Sequence, residues 1–323
     1  MKKTLALVLA LCMVFALAIP AYAAKEETVY NIGICQLVQH DALDAATEGF
    51  KAALTEKLGD SVIFDEQNAA GDTPTCATIC TTFANNDCDL IFANATPALQ
   101  AAVSATDTIP ILGTSVTDYG TALAIDDLDV EAGTGINVSG TSDGVPANLY
   151  SELLMELVPE AKNVSVLYCS AEANSVLQGD QFLEVMAEDY PDVTCTVYTF
   201  ADSNDMQSVV TAAIAECDAI YIPTDNTVAS NMNIVANVVW PEQIPIICGE
   251  ENMCKAGGLA TVSISYYDIG YNAGLMAYEI LVNGADVSTM PIGYASDPVK
   301  EYYQAYADEL GFEMPEGFVA IEE

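Results

Sequence analysis

Val29-Tyr30-Asn31-Ile32-Gly33-Ile34-Cys35-Gln36-Leu37, then Val38-Gln39-His40-Asp41, then Ala42-Leu43-Asp44 and onward to Leu58, sets the theme of the chain. A short β-rich run gives way to a polar turn, and the turn opens an amphipathic helical stretch over 42–58. The same unit recurs: strands are expected over 61–67, 89–93 and 109–114, with helices over 74–85 and 97–105 between them. After an acidic stretch at 126–131 the pattern resumes with a strand over 135–138 and a helix over 146–157. A second set follows, with strands over 163–168, 193–200, 219–222, 244–247 and 259–264, and helices over 175–187, 205–215, 228–239 and 269–281. Such alternation predicts an α/β protein with parallel sheets covered by helices on both faces. Two successive sets predict two doubly wound lobes, with 136–143 as the first crossing between them.

Composition narrows the function. The chain has 323 residues, long enough for two lobes that each hold a core, and 52% of them are hydrophobic, which excludes a disordered chain. Acids number 47 against 8 basic residues, a net charge of −39, and every basic residue is Lys. Nucleic-acid binding is excluded, because phosphate contacts need clustered Lys or Arg. Without Arg there is also no bidentate guanidinium clamp for a carboxylate or phosphate. His40 is the sole His, so a multi-His metal site is excluded and a Ser-His-Asp triad has one possible base. Neither a metal nor a cofactor is expected, and catalysis is not the favoured reading.

Residues 1–23 have the form of a secretory signal: Lys2 and Lys3 lead an apolar run over 5–19, Pro20 breaks it, and Ala21-Tyr22-Ala23 fits a small-x-small cleavage site. The run falls short of the ~20 residues a bilayer-spanning helix needs. Cleavage after Ala23 is expected, placing the chain outside the cytoplasm, in a periplasm or at a cell surface. A lipid anchor at Cys12 is not expected, because Leu11 stands where a small residue belongs. Nine cysteines then remain, an odd number that cannot all pair. Cys35, Cys169 and Cys248 end strands and suit the role of small buried hydrophobes. Cys248 and Cys254 are spaced to bridge a short loop, and the pairing stays open.

In open α/β sheets ligands bind beyond the carboxyl ends of the strands. The turns there are rich in hydroxyls, amides and acids: 36–41, 94–97, 114–118, 170–175, 223–227 and 249–252. A helix N-terminus can hold an anion without a cationic side chain, and Thr96 before Pro97 has the form of an N-cap with Pro in the first turn. The candidate contacts for a ligand carboxylate or backbone are Thr96, Thr117, Ser170, Asn174 and Ser175. Asp225, beside Asn226, and Glu250 are the candidates for an ammonium. Gln36 and His40 would line the side-chain end, and Tyr119, Tyr266 and Tyr267 are further rings near the turns. Carboxylate and ammonium together describe an amino acid. A sugar or nucleoside is the competing ligand, but the lone Trp240 lies away from the strand-end turns, which disfavours a Trp-stacked sugar.

The chain resembles the ABC-transporter substrate-binding proteins of the tryptophan/tyrosine-type family, which have the type I periplasmic-binding fold. The resemblance rests on Asn31-Ile32-Gly33-Ile34, on His40-Asp41-Ala42-Leu43-Asp44, on Ala95-Thr96-Pro97-Ala98 and on Val116-Thr117-Asp118. It continues through the turns 170–175 and 223–227 to Gly249-Glu250-Glu251 and the stretch 255–261. It implies a monomeric extracytoplasmic protein that carries a small solute, often an aromatic amino acid, to ABC permease subunits; a ligand-sensing partner of a membrane receptor would use the same cleft. It also implies three crossings between lobes. The first lobe would comprise 24–139 plus 267–292, and the second 140–266 plus 293–323. The extreme acidity and the frequent Cys depart from the family pattern.

Overall fold

The computed structural model describes residues 28–294 and 297–321. The expected signal segment and Cys12 lie outside the described residues. The first sheet is parallel throughout. It contains β1 (Tyr30–Gln36), β2 (Val62–Asn68), β3 (Leu90–Asn94), β4 (Ile111–Val116), β5 (Val138–Ser142) and the two-residue β11 (Gly293–Tyr294), in the order β11-β5-β4-β3-β1-β2. Period-two alternation sorts its side chains onto two faces. Ile32, Ile34, Leu90 and Phe92 turn to one face, where Phe92 stacks on Phe50 at 3.8 Å. Cys35, Ile91 and Ala93 turn to the other, against Cys76, Phe83 and Leu99.

Three helices follow the strands as expected: α1 (Asp41–Leu58), α2 (Thr73–Asn85) and α3 (Thr96–Ala105), with a short α4 (Tyr119–Leu123) after β4. The long α11 (Tyr266–Asn283) returns from the second lobe and packs along α1. Two glycines permit that approach: a Cβ on Gly270 would lie 1.9 Å from the Ala46 carbonyl oxygen, and one on Gly49 would lie 2.1 Å from that of Tyr267.

The second sheet contains β6 (Asn163–Cys169), β7 (Thr194–Phe200), β8 (Ala219–Ile222), β9 (Ile246–Cys248), β10 (Ala260–Ser263), β12 (Val299–Tyr302) and β13 (Val319–Ala320). Its order is β13-β12-β10-β9-β8-β6-β7, and β12 runs antiparallel to β10. Its helices are α5 (Ala147–Leu157), α6 (Ala173–Asp189), α7 (Ser203–Ala213), α8 (Asn226–Ala229), α9 (Met232–Val239), α10 (Glu251–Gly257) and α12 (Gln304–Leu310). The core is aromatic at its centre, where Phe182 stacks on Tyr221 at 4.0 Å. Trp240 stacks on Tyr306 at 4.5 Å, outside the strand-end turns.

The structure corrects several expectations. The segment 136–143 is not a crossing: Val138–Ser142 is a strand of the first sheet, and the crossing begins at Asp143. The lobe boundaries expected at 139/140 and 292/293 both fall on this sheet, since β5 runs to Ser142 and β11 pairs with Thr141 and Ser142. The helix expected over 228–239 is two helices. At the break the Asn231 side-chain amide donates to the Thr227 carbonyl, while Asn231 N–H turns to the Val228 carbonyl, so the Thr227 acceptor that a continuous helix would use is taken by a side chain. The strand expected at 135–138 starts three residues later. The pairing of Cys248 and Cys254, left open by the sequence, is not made: both are free thiols.

Candidate functional site

The order of each sheet reverses beside its first strand, between β1 and β3 in one lobe and between β6 and β8 in the other. Ligand crevices form at such switch points. Here the two sets of strand ends face each other across a narrow cavity. The first lobe supplies His40, Leu43, Ser115 and Asp143. The second supplies Asn174, Thr224, Asp225, Asn226, Ala229, Glu250 and Met253, and Tyr266 closes the wall where the chain crosses back. A broader recess, lined by Val38 and Pro97 on one side and Glu172 and Asn231 on the other, opens beside it and shares Asn226.

Three carboxyl groups converge on this cavity, and among the described residues no Lys lines it. Asp143 accepts from the Thr117 hydroxyl at 3.0 Å and from the Tyr266 phenol at 2.8 Å. Asp225 caps α8 by accepting from Val228 N–H and also takes Cys169 N–H. Glu250 caps α10, accepting from Asn252 and Met253 N–H. Burial raises all three: Asp143 lies above the usual carboxylate range, Asp225 is pushed to about 8 with help from the neighbouring Glu172, and Glu250 to about 7. The hydrogen bonds they accept favour the charged form, but desolvation outweighs them.

The cavity also holds polar atoms with nothing to bond. His40 Nδ1, Ser115 Oγ and Asn174 Oδ1 are buried without a partner, and so is Thr96 Oγ1 at the start of α3. Buried polar groups in folded proteins are nearly all paired, so orphans clustered on one cavity point to a ligand. Backbone strain lies in the same turns. Ala95 has φ 93° and Ser115 has φ 53°, a conformation that costs a non-glycine residue about 1–3 kcal/mol and gathers at functional sites.

The candidate residues named from the sequence divide. His40, Asn174, Asp225, Asn226 and Glu250 line the cavity. Thr117 stands behind it and orients Asp143; Ser175 donates to the Thr224 carbonyl at 3.2 Å from behind the wall. Gln36 is spent internally, donating to Val38 O and Asp44 and accepting from the Thr47 hydroxyl, and it does not reach the cavity. Ser170 is exposed and donates to Phe200 O, so it too lies outside. Thr96 is the first helical residue, not the cap; Ala95 holds the cap position, which leaves the Thr96 hydroxyl unused. Of the three tyrosines only Tyr266 lines the cavity. Tyr119 is core and Tyr267 is 43% exposed.

Ser115, Asp143 and Thr224 were missed as contacts, although Ser115 and Thr224 stand in turns flagged by position; Tyr266 was named only as a ring near the turns. Asp143 also completes Gly140-Thr141-Ser142-Asp143-Gly144, which spells a nucleophile-elbow pattern. Its Ser142 donates to the Thr117 carbonyl and accepts from Gly144 N–H, shaping the crossing, with no His among its partners.

Two doubly wound lobes joined by three crossings and closed over a polar cavity define a small-solute-binding protein of the type I periplasmic-binding fold. The chain belongs to the ABC transporter substrate binding protein family, whose model matches residues 31–320. It is 38% identical over 265 residues to a tyrosine-binding protein of Clostridioides difficile (strain R20291), covering 81% of this chain and 75% of that protein. An ABC domain in complex with L-Trp from Streptococcus pneumonia superposes with a TM-score of 0.85 at 32% identity, over 91% of this chain and all of that one. The ligand-free, open structure of a substrate-binding protein with adhesive properties from Clostridium difficile is 37% identical. Its TM-score is 0.68, over 91% of this chain and 99% of that one. The higher identity goes with the poorer superposition, as a hinge rotation between rigid lobes produces. This chain as a whole superposes better on the L-Trp complex than on the open structure.

Proposed function

We propose that this protein captures an amino acid with an aromatic side chain, of the tyrosine or tryptophan type, between its lobes and delivers it to ABC permease subunits. It acts outside the cytoplasm, after cleavage at Ala23, as a monomer and without catalysis. The observation that carries the reading is the convergence of Asp143, Asp225 and Glu250 on one cavity lined, among the described residues, by no cationic side chain. A ligand ammonium relieves the desolvation that raises these groups. The unpartnered Ser115 hydroxyl can donate to the carboxylate end, with Thr96 and the first turn of α3 behind it, whereas the unpartnered Asn174 Oδ1 only accepts and so suits the ammonium, not the carboxylate expected from the sequence. Leu43, Ala229 and Met253 offer apolar wall to a ring. The binding reported for the tyrosine-binding and L-Trp-bound relatives supports the same ligand class. The lobes, as the two sheets divide them, close on the solute by a hinge, and the closed form is the one the permease meets.

Titration calorimetry with tyrosine, tryptophan, phenylalanine, a hexose and a nucleoside tests this. Micromolar or tighter binding of an aromatic amino acid is expected, with no heat from the sugar or the nucleoside. Binding of a sugar or nucleoside with no amino acid bound overturns the reading.

A further inference from the structure

Glu172 lies at the start of α6 with its carboxylate buried, and it accepts four hydrogen bonds from the turn that opens α8. Asn226 N–H donates at 3.1 Å, Asn226 Nδ2 at 2.7 Å, Thr227 N–H at 2.8 Å and the Thr227 hydroxyl at 2.7 Å. A carboxylate accepts and cannot donate, so the Asn226 amide has one possible orientation: Nδ2 toward Glu172 and Oδ1 away from it. Oδ1 faces His40 Nε2 across the cleft at 3.3 Å. An amide oxygen only accepts, so Nε2 must carry the hydrogen and donate. Burial lowers the His40 pKa, which leaves the ring neutral. A neutral imidazole with its proton on Nε2 has a bare acceptor at Nδ1. That atom is buried, has no partner, and belongs to a residue lining the cavity.

We propose that His40 is a specificity-determining residue, set by Glu172 through Asn226 to present an acceptor that reads a hydrogen-bond donor on the ligand's ring. The proposal rests on the amino-acid reading above. The donor is the phenol O–H of a tyrosine-like ligand or the indole N–H of a tryptophan-like one. A phenylalanine ring has none and would leave Nδ1 unpaired in a closed cavity. A site built to bond such a group rejects the analogue that lacks it far more strongly than an apolar pocket rejects a missing methylene. The acidic groups near the ring, Glu172, Asp44 and Asp41, raise its pKa but are outweighed by burial.

Two experiments on the full chain test this. In calorimetry the wild type is expected to bind tyrosine or tryptophan at least about tenfold more tightly than phenylalanine. His40→Leu is expected to collapse that ratio toward one while still binding phenylalanine. Equal affinity for the three amino acids in the wild type overturns the inference and leaves the amino-acid reading standing; binding of none of them overturns both. The second experiment is independent of any variant. His40 is the sole histidine, so nitrogen-15 labelling of histidine gives one ring in a long-range proton–nitrogen spectrum. The expected pattern is a protonated Nε2 and a bare Nδ1, with the Nδ1 resonance moving when the donor-bearing amino acid is added. A protonated Nδ1, or an Nδ1 resonance unmoved by that ligand, overturns the assignment.

Discussion

Replacing Glu250 by Gln probes a carboxylate held ready for a ligand's positive charge. Burial raises its carboxyl from the ordinary 4.5 to about 7, even though two backbone N–H groups favour the charged form. Below 4.5 the native and unfolded chains both hold this proton, and the buried group costs nothing. Between 4.5 and about 7 the unfolded chain releases it while the native chain keeps it. The native state then binds more protons, so stability falls as pH rises. Over that interval the loss amounts to about 3 kcal/mol, and it is complete once pH passes the native value. Gln keeps one acceptor for the two capping N–H groups and turns a donor toward the other, a penalty of about 1–3 kcal/mol that does not vary with pH. Urea unfolding of wild type and Glu250→Gln from about pH 4 to about pH 8 should therefore give curves whose separation changes by about 3 kcal/mol, with the wild type losing ground as pH rises. A saturating aromatic amino acid should shrink the wild-type loss, because its ammonium favours the charged carboxylate. A separation that stays flat across this range refutes the reasoning.

Three further outcomes are expected. Asp225→Ala should weaken amino-acid binding at least tenfold, about 1.4 kcal/mol, and unchanged affinity in calorimetry removes Asp225 from the ammonium site. Gly270→Ala puts a methyl group 1.9 Å from the Ala46 carbonyl oxygen and should destabilise the α1–α11 packing by about 1–3 kcal/mol; a wild-type thermal midpoint would show that the helices can part at no cost. In small-angle scattering, the ligand-free protein should have a larger radius of gyration than the complex, and identical curves would exclude hinge closure.

The strands of the sheet centres were legible because they are short, nearly continuous apolar runs, as in Leu90-Ile91-Phe92-Ala93 and Ala219-Ile220-Tyr221-Ile222. β5 was not, because Val138-Ser139-Gly140-Thr141-Ser142 packs through polar groups. Thr141 Oγ1 lies 2.9 Å from Thr114 Oγ1 and donates to Ile269 O, and Ser139 donates to Met290 O. All three partners come from other elements, so no local pattern announces them. α10 was hidden for a related reason: Glu250-Glu251-Asn252 has the composition of a turn, and only the side-chain cap on Met253 N–H shows that a helix starts there. At the site, the topology rule located the turns, but not which side chain in each turn faces inward. Gln36 has the polarity of a ligand contact and is consumed by Val38, Asp44 and Thr47. Ser115 looks like any hydroxyl in a turn until its left-handed backbone and orphaned oxygen are seen.

That no cationic side chain among the described residues lines the cavity bears on how closure is controlled. A Lys or Arg placed there would neutralise the acids permanently, and the empty cleft could shut as readily as the full one. Here the cleft buries Asp143, Asp225 and Glu250 with no cationic side chain among the described residues beside them. At neutral pH these groups must hold protons or pull water back in, and either course favours the open arrangement. Across the mouth, the His40–Asn226 contact is long at 3.3 Å, and one neutral hydrogen bond contributes only about 1 kcal/mol. An ammonium changes the balance because it interacts with the acids far more strongly in the closed, desolvated form than in the open, hydrated one, and a ligand shifts an equilibrium only by such a difference. In the proposed cycle the missing positive charge is therefore the device by which the protein registers that it is loaded, and the permease is offered a closed shape chiefly when there is cargo inside it.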